Sequence, residues 1–268
     1  MLNEILHIRS FSHQVVSAPL ITVSVVSHHQ IRLVQSLFAD MRQYCFRVSI
    51  EVILTLNVDE PLSFDTSEFE FSIKVIRNAS QIGFSANHNQ AFTHATGQYF
   101  CVLNPDIRFR SDPFPSLLEC LKNPLIGVAA PVVLGEGGEI EDSARHFPTP
   151  LKIICKALGR CKGSDYVIGD QTIYPDWAGG MFMLFPRSIF EILAGFDQRY
   201  FLYYEDVDLC ARLRLLGYEV ALCPAAKVIH LAHRSSHRNL KFFRWHLTSM
   251  LRFFCSPVFW RMQCRKWL

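Results

Sequence analysis

Short apolar runs alternate with amphipathic stretches along most of this chain. Ile21-Thr-Val-Ser-Val-Val26 is β-branched and apolar, the signature of a buried parallel strand, and Ser27-His-His-Gln30 follows it as a polar loop. Ile31, Val34, Leu37, Phe38 and Met41 then trace one face of a helix. Val48–Leu56, Phe71–Ile76, Gly97–Leu103 and Met181–Phe185 repeat the strand pattern. The alternation predicts an α/β protein with a mostly parallel central sheet and helices on both faces. Ligands of such sheets bind beyond the carboxyl ends of the strands. Here those ends carry Ser27, then Asn57 and Asp59, then Asn78.

A second apolar, aromatic run, Phe201-Leu-Tyr-Tyr204, reads as a strand ending in Glu205-Asp206-Val-Asp208. Leu209, Leu213 and Leu216 recur at i, i+4 and i+7, so a helix starts on the acids, with Gly217 placed as its C-cap. Carboxylates at such a junction serve either as a general base or as acids meeting the helix dipole. The local pattern does not choose.

Three further stretches bear on chemistry. Gly83-Phe-Ser-Ala-Asn87-His-Asn89 runs into a helical stretch at Gln90–Ala95, where backbone N–H groups can face an anion or Asn can simply cap. It is neither GxGxxG nor a Walker loop. Asn104-Pro105-Asp106 closes a strand and offers a hard oxygen ligand for Mg²⁺ or Mn²⁺, or a plain β-turn. Trp177-Ala-Gly179-Gly180 precedes another strand, where a Trp can stack on a sugar face or fill a tight bend. Gly135–Gly169, rich in Gly and charge, reads as an irregular insertion over the site.

Composition sharpens this frame. Half of the 268 residues are hydrophobic, yet no uncharged apolar run reaches the ~18 residues of a spanning helix. The first ten residues lack the layout of a secretory signal. The nine cysteines are scattered without a CxxC pair, so reduced thiols and a cytoplasmic protein are expected. The net charge is +3, but nine cations and no acid follow Glu219, leaving −6 on the rest. Phe242, Phe243, Trp245, Phe253, Phe254, Phe259 and Trp260 are interleaved with these cations. That pattern suits an anionic membrane interface, and no nucleic-acid motif accompanies it.

Taken together, Gly83-Phe-Ser-Ala-Asn-His-Asn89, Val102-Leu-Asn-Pro-Asp-Ile107, Trp177-Ala-Gly-Gly-Met-Phe-Met-Leu-Phe185 and Gly195-Phe-Asp-Gln-Arg-Tyr-Phe-Leu-Tyr-Tyr-Glu-Asp-Val-Asp-Leu209 resemble the family 2 glycosyltransferases of GT-A fold. Within that family they are most similar to the bacterial rhamnosyltransferases of O-antigen and surface-polysaccharide assembly. The resemblance covers about residues 20–240. It implies an inverting transfer of a sugar, L-rhamnose from dTDP-L-rhamnose, to a hydroxyl of a lipid-linked glycan.

The resemblance also implies roles. Asp206 is the general base, with Glu205 second and Asp208 an orienting or capping group. Asp106 binds a divalent cation, with His230 as a further ligand and Arg234 and His237 near phosphate. Ser27, Asn57, Asp59, Asn78, Gly83, Asn87, Asn89 and Asn104 bind the nucleotide sugar, and Trp177, Gly179 and Gly180 the acceptor. Asn104 departs from the family's Asp-x-Asp pattern. The implied organisation is an extension over 1–19, a GT-A domain over 20–239, and a basic aromatic segment over 240–268 lying on the inner face of the cell membrane. Two other readings stand beside it. A nucleotidyltransferase would need a Gly-rich basic loop after the first strand, where Ser27-His-His-Gln30 stands. A sugar- or nucleotide-binding module without catalysis would explain Asn104.

Overall fold

The computed structural model describes residues 19–160, 163–231 and 240–265, with no side-chain detail at 156, 157 and 265. In chain order the first half comprises β1 (Ile21–Ser27), α1 (Ile31–Tyr44), β2 (Ile50–Leu56), β3 (Ser72–Arg77), α2 (Phe84–Phe92), β4 (Tyr99–Leu103), β5 (Ile107–Arg108), α3 (Phe114–Cys120) and β6 (Ile126–Leu134). The second half comprises β7 (Ala144–Arg145), α4 (Pro150–Ala157), β8 (Trp177–Ala178), β9 (Phe182–Pro186), α5 (Arg187–Ile192), α6 (Glu205–Leu215), β10 (Glu219–His230), α7 (Leu240–Phe254) and α8 (Pro257–Arg265).

Eight strands form one sheet in the order β3-β2-β1-β4-β9-β6-β10-β5, and β7 pairs with β8 in a separate ribbon. β3, β2, β1 and β4 run parallel, β9 enters antiparallel between β4 and β6, and β5 closes the far edge antiparallel to β10. Strand period sends alternate residues to opposite faces. Cys101 and Leu103 of β4 join the core under α1 and α3, with Phe38 and Phe114. Phe100 and Val102 join the other core, under α2, α5 and α6, with Ala91, Phe190 and Leu209. Phe253 of α7 and Phe259 of α8 belong to that second core.

Several expectations are corrected. α2 begins at Phe84 rather than near Gln90, because Gly83 starts it and Asn87 and Asn89 find partners outside the helix. The stretch 135–169 is not irregular throughout, since it holds β7 and α4. The sulfurs of Cys120 and Cys223 meet where α3 packs on β10. Gly217, at φ +91°, does terminate α6. The 1–18 part of the expected extension, Arg234 and His237 lie outside the described residues.

Candidate active site: two cavities divided by one strained segment

Phe201–Tyr204 was expected to be a strand, and it is not one. Tyr203 (φ 69°) and Tyr204 (φ 68°) are both left-handed, a conformation costing an L-residue roughly 1–2 kcal/mol. Long-range bonds hold the segment there. Ser85 Oγ donates to Tyr200 O at 2.9 Å, Phe84 N–H to Phe201 O at 2.8 Å, and Ser249 Oγ to Leu202 O at 2.9 Å. Three successive carbonyls are thus fixed from α2 and α7. Gly83 permits the approach, because a Cβ there would lie 2.7 Å from Phe201 O and 2.8 Å from its Cα. The twisted segment ends by launching α6 with its acids foremost.

The three acids part ways. Asp206 Oδ2 accepts from Gly180 N–H at 3.0 Å and Oδ1 from Val207 N–H at 2.8 Å. Glu205 is buried, and its Oε2 has no hydrogen-bond partner among the described residues. Burial raises both carboxyls, and the Asp206 charge raises Glu205 further. Asp206 has two N–H donors to stabilise its charge and Arg145 nearby to favour it. Of the pair, Glu205 is pushed up by burial and by its neighbour's charge, and Asp206 is the one whose charge the surrounding donors support. Asp208 turns the other way, onto Arg212 at 2.7 Å, and Arg212 also donates to Leu193 O and Gly195 O. It orients a strut between α6 and the turn after α5.

Two cavities flank the segment. The first, about 540 Å³, is lined by Tyr203, Tyr204, Glu205 and Asp206, by Trp177, by His246 of α7, and by Arg145, His146 and Lys152. The second, about 460 Å³, is lined by Phe201 and Leu202, by His28, Gln81, Asn57, Asn87, Asn104 and Asp106, and by Lys241, Phe242 and Trp245. Both walls are continuous through α7. Trp245 stacks on Phe201 with ring centroids 4.6 Å apart, and His246 meets Tyr203 and Tyr204 at 5.4 and 5.5 Å.

Of the residues expected around a nucleotide sugar, Asn57, Asn87 and Asn104 line the second cavity. Asn78 stands among them, donating to Asn57 Oδ1 at 3.0 Å and Asn87 Oδ1 at 2.8 Å. Asn57 closes on the backbone of Ile82 in both directions at 3.0 Å, and Asn87 donates to Gly83 O. These amides build the wall through their mutual bonds. The other four do not reach the cavity. Ser27 is fully buried and accepts from Gln30 N–H; Gly83 serves the contact with Phe201. Asn89 clamps both backbone groups of Phe196, at 2.8 and 2.9 Å, and Asp59 is exposed away from the lining. Phe84 N–H is spent on Phe201 O and Ile82 N–H on Asn57, so two N–H groups around the start of α2 are already engaged.

Asp106 and His230, expected as metal ligands, meet: Asp106 Oδ2 lies 3.3 Å from His230 Nε2, and Glu141 Oε2 lies 2.9 Å from His230 Nδ1. Burial pulls the imidazole down, but the two carboxylates outweigh it and raise His230 to about 9. Asp106 Oδ1 is buried with no hydrogen-bond partner among the described residues. The orphaned Asp106 oxygen fits a hard divalent cation, and His230, held protonated between two carboxylates, would have to give up its proton to join as a ligand. Among the described residues no cluster of three His, Cys, Asp or Glu forms a complete metal site. Such a site leaves the rest of the shell to phosphate oxygens and water.

Around the first cavity, Trp177 is fixed by its Nε1–H donating to His146 O at 3.1 Å, with the Arg145 guanidinium 5.7 Å from its ring. Gly179 is corrected: its N–H bonds to Ser143 O and it does not line the cavity. Gly180 is corrected likewise, as its N–H holds Asp206 rather than facing the cavity. Sequence reasoning passed over Arg145, His146, Lys152, Tyr203 and His246. The insertion's charge and the aromatics beside the acids were visible, but not their convergence.

The mostly parallel sheet, with an Asp at a strand end and acids at a helix start, has the GT-A fold of glycosyltransferases, and the chain belongs to glycosyltransferase family 2. The model of glycosyl transferase family 2 matches residues 61–189. The chain is 30% identical over 251 residues to the rhamnosyltransferase WbbL of Escherichia coli (strain K12), covering 87% of this chain and 92% of that one. It is 28% identical over 186 residues to the N-acetylglucosaminyl-diphospho-decaprenol L-rhamnosyltransferase of Mycobacterium tuberculosis, covering 63% of this chain and 58% of that one. Among solved structures, the mannosyltransferase PcManGT from Pyrobaculum calidifontis, in complex with GDP-Man and Mn²⁺, shares the fold. Its TM-score is 0.58 at 16% identity, over 88% of this chain and 65% of that one.

Proposed function

We propose that this glycosyltransferase moves L-rhamnose from dTDP-L-rhamnose to a hydroxyl of a lipid-linked glycan, with inversion, in the assembly of a cell-surface polysaccharide such as O-antigen. The observation that carries it is the Asp206 carboxylate, held by two backbone N–H groups at the wall of one cavity while Asp106 stands in the next. Two relatives bear rhamnosyltransferase names, and one of those names specifies a diphospho-decaprenol acceptor. The donor occupies the cavity of Asn57, Asn87, Asn104 and Asp106. The acceptor sugar enters the other, against Trp177 and the two tyrosines.

Asp206 takes the proton of the acceptor hydroxyl as that oxygen forms its bond to the anomeric carbon. The bond from that carbon to the diphosphate breaks on the opposite face, and its electron pair leaves with the phosphate. Glu205, carrying its proton, keeps a second negative charge away from Asp206. A divalent cation, Mg²⁺ or Mn²⁺, held by Asp106 with His230, would stabilise charge on the departing diphosphate. The enzyme works at the inner face of the cell membrane, with its C-terminal segment on the anionic surface.

A panel of nucleotide sugars, titrated against the purified protein with Mg²⁺ or Mn²⁺, tests the donor. dTDP-L-rhamnose should bind most tightly, and Asp106→Asn should weaken it about tenfold or more. Equal binding of every nucleotide sugar, or none, would overturn the assignment.

A further inference from the structure

Among the described residues, seven exposed large apolar side chains line up along two helices that share one cavity. On α4, Leu151 and Ile154, with Leu158 just past its end, recur at i, i+3 and i+7, each more than half exposed. Along α7, Leu240, Phe243, Leu247 and Leu251 form a second exposed stripe at i, i+3, i+7 and i+11. The opposite side of α7 carries Trp245, Ser249 and Phe253 against the site and core. Both helices also reach the first cavity, α4 through Lys152 and Ile153 and α7 through His246. No acidic residue lies in α4, α7 or α8, whereas seven Lys or Arg do.

We propose that α4 and α7 together lay the rim of the first cavity on an anionic lipid leaflet, with α4 an anchor in its own right. Apolar stripes on helices that carry cations and no acids, with Lys152 paired to Asp165 beside them, describe helices lying in a charged interface, where one weak anchor binds marginally and two bind stably. The charge pattern selects a lipid surface over a second copy of this chain, which would bring the same cations against these. The placement lets a lipid-linked acceptor reach Asp206 while its tail stays in the bilayer, and that consequence rests on the acceptor reading of the first cavity.

Sedimentation of the full chain with vesicles tests it, using phosphatidylcholine alone or with about a third phosphatidylglycerol. Wild type should pellet with the anionic vesicles and far less with neutral ones. Leu151→Gln/Ile154→Gln/Leu158→Gln should lower that partitioning about tenfold, and Leu240→Gln/Phe243→Gln/Leu247→Gln should do so independently. Ile154→Gln alone gives the same direction should either triple variant fold poorly by circular dichroism. Unchanged partitioning of the α4 variants, or a wild type indifferent to both vesicles, overturns the proposal. So does a solution dimer, by light scattering, that the α4 substitutions dissolve. A wild type that partitions as described yet transfers no sugar would sink the enzymatic reading and leave this surface standing.

Discussion

Residues that look alike in the sequence do unlike work here. Glu205, Asp206 and Asp208 lie within four positions, yet one lacks a hydrogen-bond donor at Oε2, one is held by two N–H groups, and one orients Arg212. The polar residues of α2 divide in the same way. Asn87 helps wall a cavity, Asn89 clamps Phe196, and His88 is fully buried, with Nδ1 2.8 Å from Ser24 Oγ and Nε2 without a partner among the described residues. Burial lowers His88 from 6.5 to about 3. Because the folded pKa lies below the unfolded one, this histidine supports the fold above pH 6.5 and costs stability as pH falls from there toward 3. The loss should approach about 1.4 kcal/mol per pH unit. Urea unfolding of wild type and His88→Gln between pH 7 and 4.5 checks this, with wild type the more acid-sensitive of the two. Sequence could mark these residues as polar and well placed. It could not show which face ligand, because their partners lie up to 107 positions away.

At the scale of elements, the strands were legible and the critical turn was not. β1, β2 and β4 are β-branched or apolar runs buried on both faces, so composition alone marks them. Phe201–Tyr204 has the same aromatic composition, and strand propensity argues for extension. Three carbonyl contacts from α2 and α7 override that preference and force two tyrosines left-handed. Gly83 and Gly180 separate this account from one in which all glycines near the site are needed for space. Gly83→Ala would push a methyl into Phe201 backbone, so it should cost about 1–3 kcal/mol and disturb the acids downstream. Gly180→Ala places its Cβ 3.5 Å from Asp206 Cβ, an ordinary contact, and should change stability by less than about 0.5 kcal/mol. Thermal unfolding of the two variants measures both.

Over the whole molecule, the two cavities lie on opposite sides of one short segment, and α7 buttresses it from outside. The tail was read as membrane-seeking, and α7 carries, besides an exposed apolar stripe, a face packed on the site and core. The parallel half of the sheet followed from alternation. The insertion of β9 between β4 and β6 did not, since pairing across about 50–80 residues leaves no local trace. What the fold achieves is the convergence of Asp106, from the end of β4, and Asp206, from the start of α6, on neighbouring cavities. The central claim is that Asp206 is the base of the transfer. Its most direct test is the turnover of Asp206→Asn with dTDP-L-rhamnose and a lipid-linked acceptor, with donor affinity measured in parallel. The expected result is a fall in kcat of about 10²–10⁴-fold with donor affinity unchanged. Transfer at the wild-type rate would contradict it.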